Sequence, residues 1–238
     1  MSELVPLAVT LDTDGGACVA GVTPERRWIR PEPVTAAQVT GGDPVYAMHR
    51  PVLLALGAPT GPRARPEDRS VHGAPRPARP PLAPAERTGL LADVADPDIA
   101  TAFAGGRSAG LVAVRPLRYH RRRATGGRTF LRLEFTDASG ELFDWIVRDV
   151  RLLGDGDDGP IRVTPDPGDP GGGDPAAALP AGTGAPLLYA AVGLTHPNDR
   201  FPGRFRGCHP LVVGLHPADG SPLTATSLEG TAGAPGTA

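Results

Sequence analysis

The densest run of chemically capable side chains in this sequence is Tyr119-His-Arg-Arg-Arg123, followed at short range by Arg128 and Arg132. Arginine clustered beside an aromatic ring can neutralise phosphates and stack on bases. Placed in a turn between two strands, four of these arginines would converge at one strand end. The plain alternative is a solvated hairpin loop in an arginine-biased chain. The same pairing of aromatic and cation recurs at Trp28 with Arg30 and at Trp145 with Arg148. These two tryptophans either pack a small β core or offer a stacking platform. A third basic stretch, from His196 to His209, carries Arg200, Arg204 and Arg206 and could close a groove.

Other chemistries find less support. The six histidines show no HxH, HxxxH or HExxH spacing, so the sequence points to no metal site. No GxSxG motif occurs. Cys18 and Cys208 belong to no CxxC pattern and read as small buried hydrophobes. His209 follows Cys208 directly, and adjacent strand residues point to opposite faces, which argues against a nucleophile–base pair. Carboxylates abound from Asp155 to Asp174, in a segment too Gly- and Pro-rich to hold an acid and a base in register. Gly171-Gly-Gly173 lacks the Lys-Ser/Thr of a phosphate loop. No cofactor is indicated, and the expectation is a protein that is not an enzyme.

Composition narrows the architecture. The chain has 238 residues, of which 32 are Gly and 29 are Pro. Long regular helices are therefore unexpected, and short strands joined by many turns fit better. All 24 basic residues are arginine, a coding bias that also excludes lysine Schiff-base chemistry. The formal net charge is −2, so the chain as a whole is no polycationic coat. Charge is segregated: Val112–Glu134 has seven Arg against one acid, while Asp149–Asp174 has seven Asp against two Arg. There is no visible signal peptide and no apolar run approaching the roughly 20 residues of a membrane span. A cytoplasmic protein with reduced cysteines and no membrane partner is expected.

These side chains must be positioned by short strands. Leu4–Leu11, Ala17–Val22 and Arg27–Arg30 read as three strands, with the turn Asp12-Thr-Asp-Gly-Gly16 after the first. A fourth lies within Tyr46–Leu56, begun by Pro51. Gly57–Pro84, rich in Pro, Arg and Gly, reads as an extended, poorly ordered loop. Ala85–Phe103 has helical spacing broken at Asp96-Pro97, which predicts two short helices. Gly110–Tyr119 reads as a strand and His120–Gly127 as a basic turn. Arg128–Thr136 and Glu141–Val147 alternate with period two around Asp137-Ala-Ser-Gly140, the signature of a β-hairpin. Gly154–Pro186 reads as a disordered insertion. Leu187–Leu194 and Leu211–Leu215 close the strand set, and Ala218–Ala238 reads as a disordered tail.

Taken together, "CVAGV…RRWIRP" (Cys18–Pro31), the strand "PVLLALG" and the late pair "LLYAAVGLTHPND…HPLVVGL" (Leu187–Leu215) resemble the bacterial dual OB-containing domain proteins. Glu32-Pro33 departs from the small or hydroxyl residues that follow Arg-Pro in that family. The resemblance implies a mainly β protein with two OB-like β-barrels, a short helical segment and Pro/Gly-rich insertions. The units would span 1–109 and 110–217, with the insertion near 154–186 and the tail at 218–238. It further implies a nucleic-acid-binding component of bacterial defence or conflict systems. In an OB barrel one open sheet face commonly takes the oligonucleotide. Single-stranded DNA or RNA would meet Tyr119, Arg121, Arg122, Arg123, Arg128 and Arg132 through its backbone. Trp28 with Arg30, and Trp145 with Arg148, would clamp bases, while Arg200, Arg204, Arg206 and His209 would close the groove. Two other classes remain open: a protein-interaction adaptor, and a small-molecule or nucleotide sensor with a pocket between the barrels.

Overall fold

The alternating stretch after Arg128 forms the hairpin that its pattern requires. In the computed structural model, which describes residues 1–11, 15–124, 128–152, 187–198 and 204–224, strand β8 (Thr129–Thr136) buries Leu131, Leu133 and Phe135. Its partner β9 (Leu142–Val147) buries Phe143, Trp145 and Val147. Leu133 lies opposite Trp145 and Phe135 opposite Phe143. Gly140 supplies the left-handed turn residue, with φ of 78°.

This hairpin belongs to a closed five-stranded barrel. Its other members are β7 (Ala109–Arg123), β10 (Leu188–Leu194) and β11 (Pro210–Pro217), in the order β10-β11-β9-β8-β7. Four of the pairings are antiparallel, and β11 meets β9 in parallel. Closure leaves no unpaired strand edge.

The first half of the chain forms a six-stranded sheet from β1 (Ser2–Leu11), β2 (Gly16–Val22), β3 (Trp28–Glu32), β4 (Val34–Thr35), β5 (Val52–Pro59) and β6 (Asp68–Pro77). Its pairings run β1–β2, β2–β3, β3–β6, β6–β5 and β5–β1, with β3–β6 parallel. The barrel repeats this path: first long strand to second, second to third, third to last in parallel, last to fourth, fourth to first. Of the two barrels expected, one is a closed barrel and the other is this sheet with the same pairing path.

Among the described residues three short α-helices punctuate the strands: α1 (Ala36–Val39), α2 (Pro84–Val94) and α3 (Ile99–Ala102). Pro84 opens α2, where its missing N–H costs nothing, and the Glu86 carboxylate accepts from the Ala83 N–H at 2.8 Å. Asp98 caps α3 by accepting from the Thr101 N–H at 2.7 Å. The split into two helices at Asp96-Pro97 follows the sequence reading.

Apolar side chains collect in three places. One cluster fills the barrel around Phe135, Trp145, Leu188 and Leu215. A second fills the first unit around Leu4, Ile29, Tyr46 and Leu54. The third joins the two, with Leu7, Val22, Trp28 and Leu91 meeting Leu111 and Ala191. Each fully buried large side chain in such a seam contributes about 1.5–3 kcal/mol.

Three sequence expectations need correction. Residues 57–84 are not a loose loop: β5 runs on to Pro59, and β6 occupies Asp68–Pro77. That strand is held by charge and by pairing on both sides, not by an apolar stripe, so no period-two signal marks it. The basic turn expected from His120 is in fact strand as far as Arg123, because β7 pairs with β8 to Arg123–Thr129. The tail expected from Ala218 is ordered at its start. Leu223 is buried against the barrel core, and the Ala218 N–H bonds the Leu187 carbonyl at 3.2 Å. The rest of that tail, from 225 onward, and the insertion at 154–186 lie outside the described residues.

Candidate functional site

The arginines after Tyr119 divide between the two faces of β7, because successive strand residues point to opposite sides. Arg118, His120 and Arg122 stand opposite Glu134, Arg132 and Phe130, respectively. Since Leu131 and Leu133 are buried inside the barrel, all six of these face outward. Arg122, Arg123 and Arg128 are exposed. None of the three makes an ion pair among the described residues. Phe130 is half-buried and stands outside the barrel core cluster. Tyr119 turns the other way and packs against that core, and Arg121, two residues on, shares its side of the strand.

Lower on the same outer face, charge is matched. Arg118 forks onto Glu134 at 2.5 and 3.2 Å. The Arg132 Nε donates to Asp144 Oδ1 at 2.9 Å, and His120 Nε2 lies 3.1 Å from the same oxygen. Burial works against the Asp144 charge, but the bonds from Arg132 and His120 outweigh it and hold its pKa below the ordinary value. His120, Glu134 and Asp144 bring ligand atoms within 4.8 Å of one another. A cation there would have to displace two guanidiniums from these carboxylates.

The late loop reaches the same end of the barrel. Arg132 lies opposite Ile146, and Ile146 opposite Leu211 at the start of β11. His209, just before that strand, has its pKa lowered by burial and then by the nearby Arg132 charge. Arg206 is pinned rather than mobile, its guanidinium donating to the Gly106 and Arg107 carbonyls at 2.5 and 2.6 Å. Arg200 and the side chain of Arg204 lie outside the described residues.

The tryptophan–arginine pairs are not a surface platform. Trp28 is 7% exposed and sits in the seam between the units. Trp145 is equally buried, ringed by Phe103, Phe135, Phe143 and Phe205 at centroid distances of 5.2–6.4 Å. Arg148 donates to the Leu11 carbonyl at 3.0 Å and so ties the two units. Alternation showed that each tryptophan had a face; only the packing of a second unit or a loop decides that the face is covered.

Arg30 is the centre of a buried polar network that the sequence did not reveal. Its Nη1 donates to Asp68 Oδ1 at 2.5 Å, and both side chains are almost fully enclosed. Arg65 Nε lies 3.1 Å from the other Asp68 oxygen. Glu67, next along, accepts from the Ser108 N–H at 2.9 Å and from its hydroxyl at 2.6 Å. The network therefore joins β3, the β5–β6 loop and the residue before β7. The parallel pairing of Arg30 with Asp68 aligns its charges.

Beside this network lies a cavity of about 410 Å³. Ala8, Ala17, Ala20 and Cys18 line it from the first unit, and Leu194, Leu211 and Val213 from the barrel. Glu32, Arg65 and His196 form a polar end. The Arg65 Nη2 is 3.4 Å from a Glu32 carboxylate oxygen, and its Nη1 donates to His196 Nε2. Burial, followed by the Arg65 charge, lowers the His196 pKa, so the ring is neutral at pH 7. Burial pushes the Cys18 thiol up, against the pull of Arg30 and Arg65, and leaves it a protonated donor. Of these residues Arg30 and His196 stand out in the sequence as candidate site residues, Cys18 reads there as a buried hydrophobe, and Arg65 lies on a segment without a motif.

No family model, no curated protein and no solved structure matches this chain. No described helix is long and apolar enough to cross a membrane.

Proposed function

We propose that the chain is a non-enzymatic binding protein of two OB-like units whose barrel holds single-stranded nucleic acid on the outer face of the β7–β8 hairpin. The repeated pairing path, closed by a parallel contact between third and last strands, supports the OB-like reading of both units. One observation carries the binding reading. Arg122 stands directly across from the part-exposed Phe130, Arg123 is exposed on the next position at the hairpin tip, Arg128 is exposed at the start of the partner strand, and none of the three makes an ion pair among the described residues. An aromatic ring beside exposed guanidiniums is the minimum apparatus for stacking a base while holding its phosphate. The loop before β11, which joins the fourth and fifth barrel strands, approaches the same barrel end as the tip between the first and second, as the two loops that flank an OB binding face do.

The test is fluorescence anisotropy with labelled single-stranded DNA and RNA. Binding should weaken steeply with salt. Replacing Arg122, Arg123 and Arg128 together by Ala should flatten the slope of log K against log salt by about 2, since each phosphate neutralised on a single strand contributes about 0.7. A flat titration at low salt, or an unchanged slope in the triple variant, excludes this reading.

A further inference from the structure

The cavity between the two units has a different character from the hairpin face. Its three arginines are engaged before any ligand arrives: Arg30 by Asp68 and Ser108, Arg65 by Asp68, Glu32 and His196, and Arg148 by the Leu11 carbonyl. It is therefore poorly suited to draw in a phosphate. Its walls are apolar and come from two separate β faces. One side is kept low by Ala8, Thr10 and Ala20, the other is formed by Leu194, Leu211 and Val213. Small side chains on one face and aliphatic ones on the other leave a slot that suits a flat ring. The volume of about 410 Å³ falls within the roughly 300–1,000 Å³ of small-ligand sites.

The polar end adds a hydrogen-bonding edge. Arginine cannot accept, so the contact between Arg65 Nη1 and His196 Nε2 makes the imidazole the acceptor. The neutral ring then carries its proton on Nδ1 and offers it as a donor. Glu32, whose side chain is 34% exposed, offers a carboxylate acceptor. The Cys18 thiol adds a weak donor. An acceptor placed among donors complements a ring edge that bears both N–H and lone-pair nitrogen or carbonyl groups.

We propose that this cavity is a binding site for an uncharged planar heterocycle of the nucleobase class, read along one edge by Glu32, Arg65 and His196 and sandwiched between the β1–β2 and β10–β11 faces. The site is separate from the hairpin face and does not depend on it.

The experiment is calorimetric and saturation-transfer NMR titration of the full chain with adenosine, guanosine, cytidine, uridine and their free bases. At least one should bind tighter than about 1 mM, or about −4 kcal/mol. Glu32→Gln and His196→Ala should each weaken it about tenfold. Thr10→Phe, which projects a ring into the slot, should abolish it. The Arg122, Arg123 and Arg128 triple alanine variant should leave it unchanged, whereas it should weaken oligonucleotide binding. Circular dichroism and melting curves identify any variant that has lost its fold, and Glu32→Gln removes only a charge. Absence of binding across the panel at millimolar ligand overturns the proposal. So does binding that survives both Thr10→Phe and Glu32→Gln in folded protein, or binding lost in the arginine triple variant.

Discussion

His49 and His216 bond to each other across the two units, with Nε2 of the first 2.9 Å from Nδ1 of the second. Both rings are buried, and His216 Nε2 donates onward to the Leu7 carbonyl at 2.8 Å. The chain of bonds fixes the tautomers: His216 donates from Nε2 and accepts at Nδ1, so His49 donates from Nε2. Two neutral imidazoles thus bridge β11, β1 and the segment before β5.

Burial lowers both pKa values, reinforced for His49 by the His216 ring and Arg151 and for His216 by Arg151, which brings His216 to about 3. Between that value and pH 6.5 the unfolded chain binds protons that the folded chain refuses. Stability therefore falls as pH drops through 6.5. The loss should reach about 1–2 kcal/mol per histidine by pH 5, at most 1.4 kcal/mol per pH unit for each. Urea midpoints at pH 7.5 and pH 5.0 measure it. A His49→Leu, His216→Leu double variant should show less of this dependence; an identical dependence would contradict the assignment.

Asp68 is the anion beneath Arg30, and both side chains are almost fully enclosed. Asp68→Ala leaves a buried guanidinium without its partner and should cost about 3–5 kcal/mol. Replacing the pair together, Arg30→Met with Asp68→Leu, should cost less, because Arg30 is no longer stranded and Arg65 keeps its ion pair with Glu32. Equilibrium denaturation of the three proteins decides; equal losses in single and double variants would argue against the ion pair as the controlling contact.

Gly214 on β11 has no room for a side chain, since a Cβ there would lie 2.2 Å from the Leu7 carbonyl oxygen. Gly214→Ala must push β1 and β11 apart. An overpacking cost of about 1–3 kcal/mol is expected, seen as a lower melting temperature. A neutral effect would mean that the two units separate freely at this seam.

Phe130 should be dispensable for folding and needed for binding. It stands outside the barrel core, so Phe130→Ala should change the denaturation midpoint little. The same variant should weaken oligonucleotide binding by about 1–3 kcal/mol, the range for one stacked base. Loss of stability without loss of affinity would assign the ring to packing instead.

The hairpin from Arg128 to Val147 was legible because each strand alternates and its turn is polar. The two helices were legible because Asp96-Pro97 interrupts a helical spacing. β6 was not, because Asp68–Pro77 carries one Val and one Ala among polar residues and prolines. Its place depends on Asp68 reaching Arg30, a partner 38 residues away. The tryptophans failed for a related reason. Trp28 and Ile29 alternate correctly, but the outer side of β3 meets the second unit, and no local pattern records a neighbour that distant in sequence. By pattern Phe130 is only one more apolar position of its strand, yet Leu131, Leu133 and Phe135 occupy the interior and leave it outside.

The seam around Trp28, Leu91, Leu111 and Ala191 bears on how such a chain can be inherited. Severed at Gly105-Gly106, the first fragment would carry an oily flank at Trp28 and an imidazole without its mate. The second would bare Leu111 and the mouth beside His216. Neither piece by itself would keep this seam out of water, so a gene carrying only one of them would express an open apolar flank.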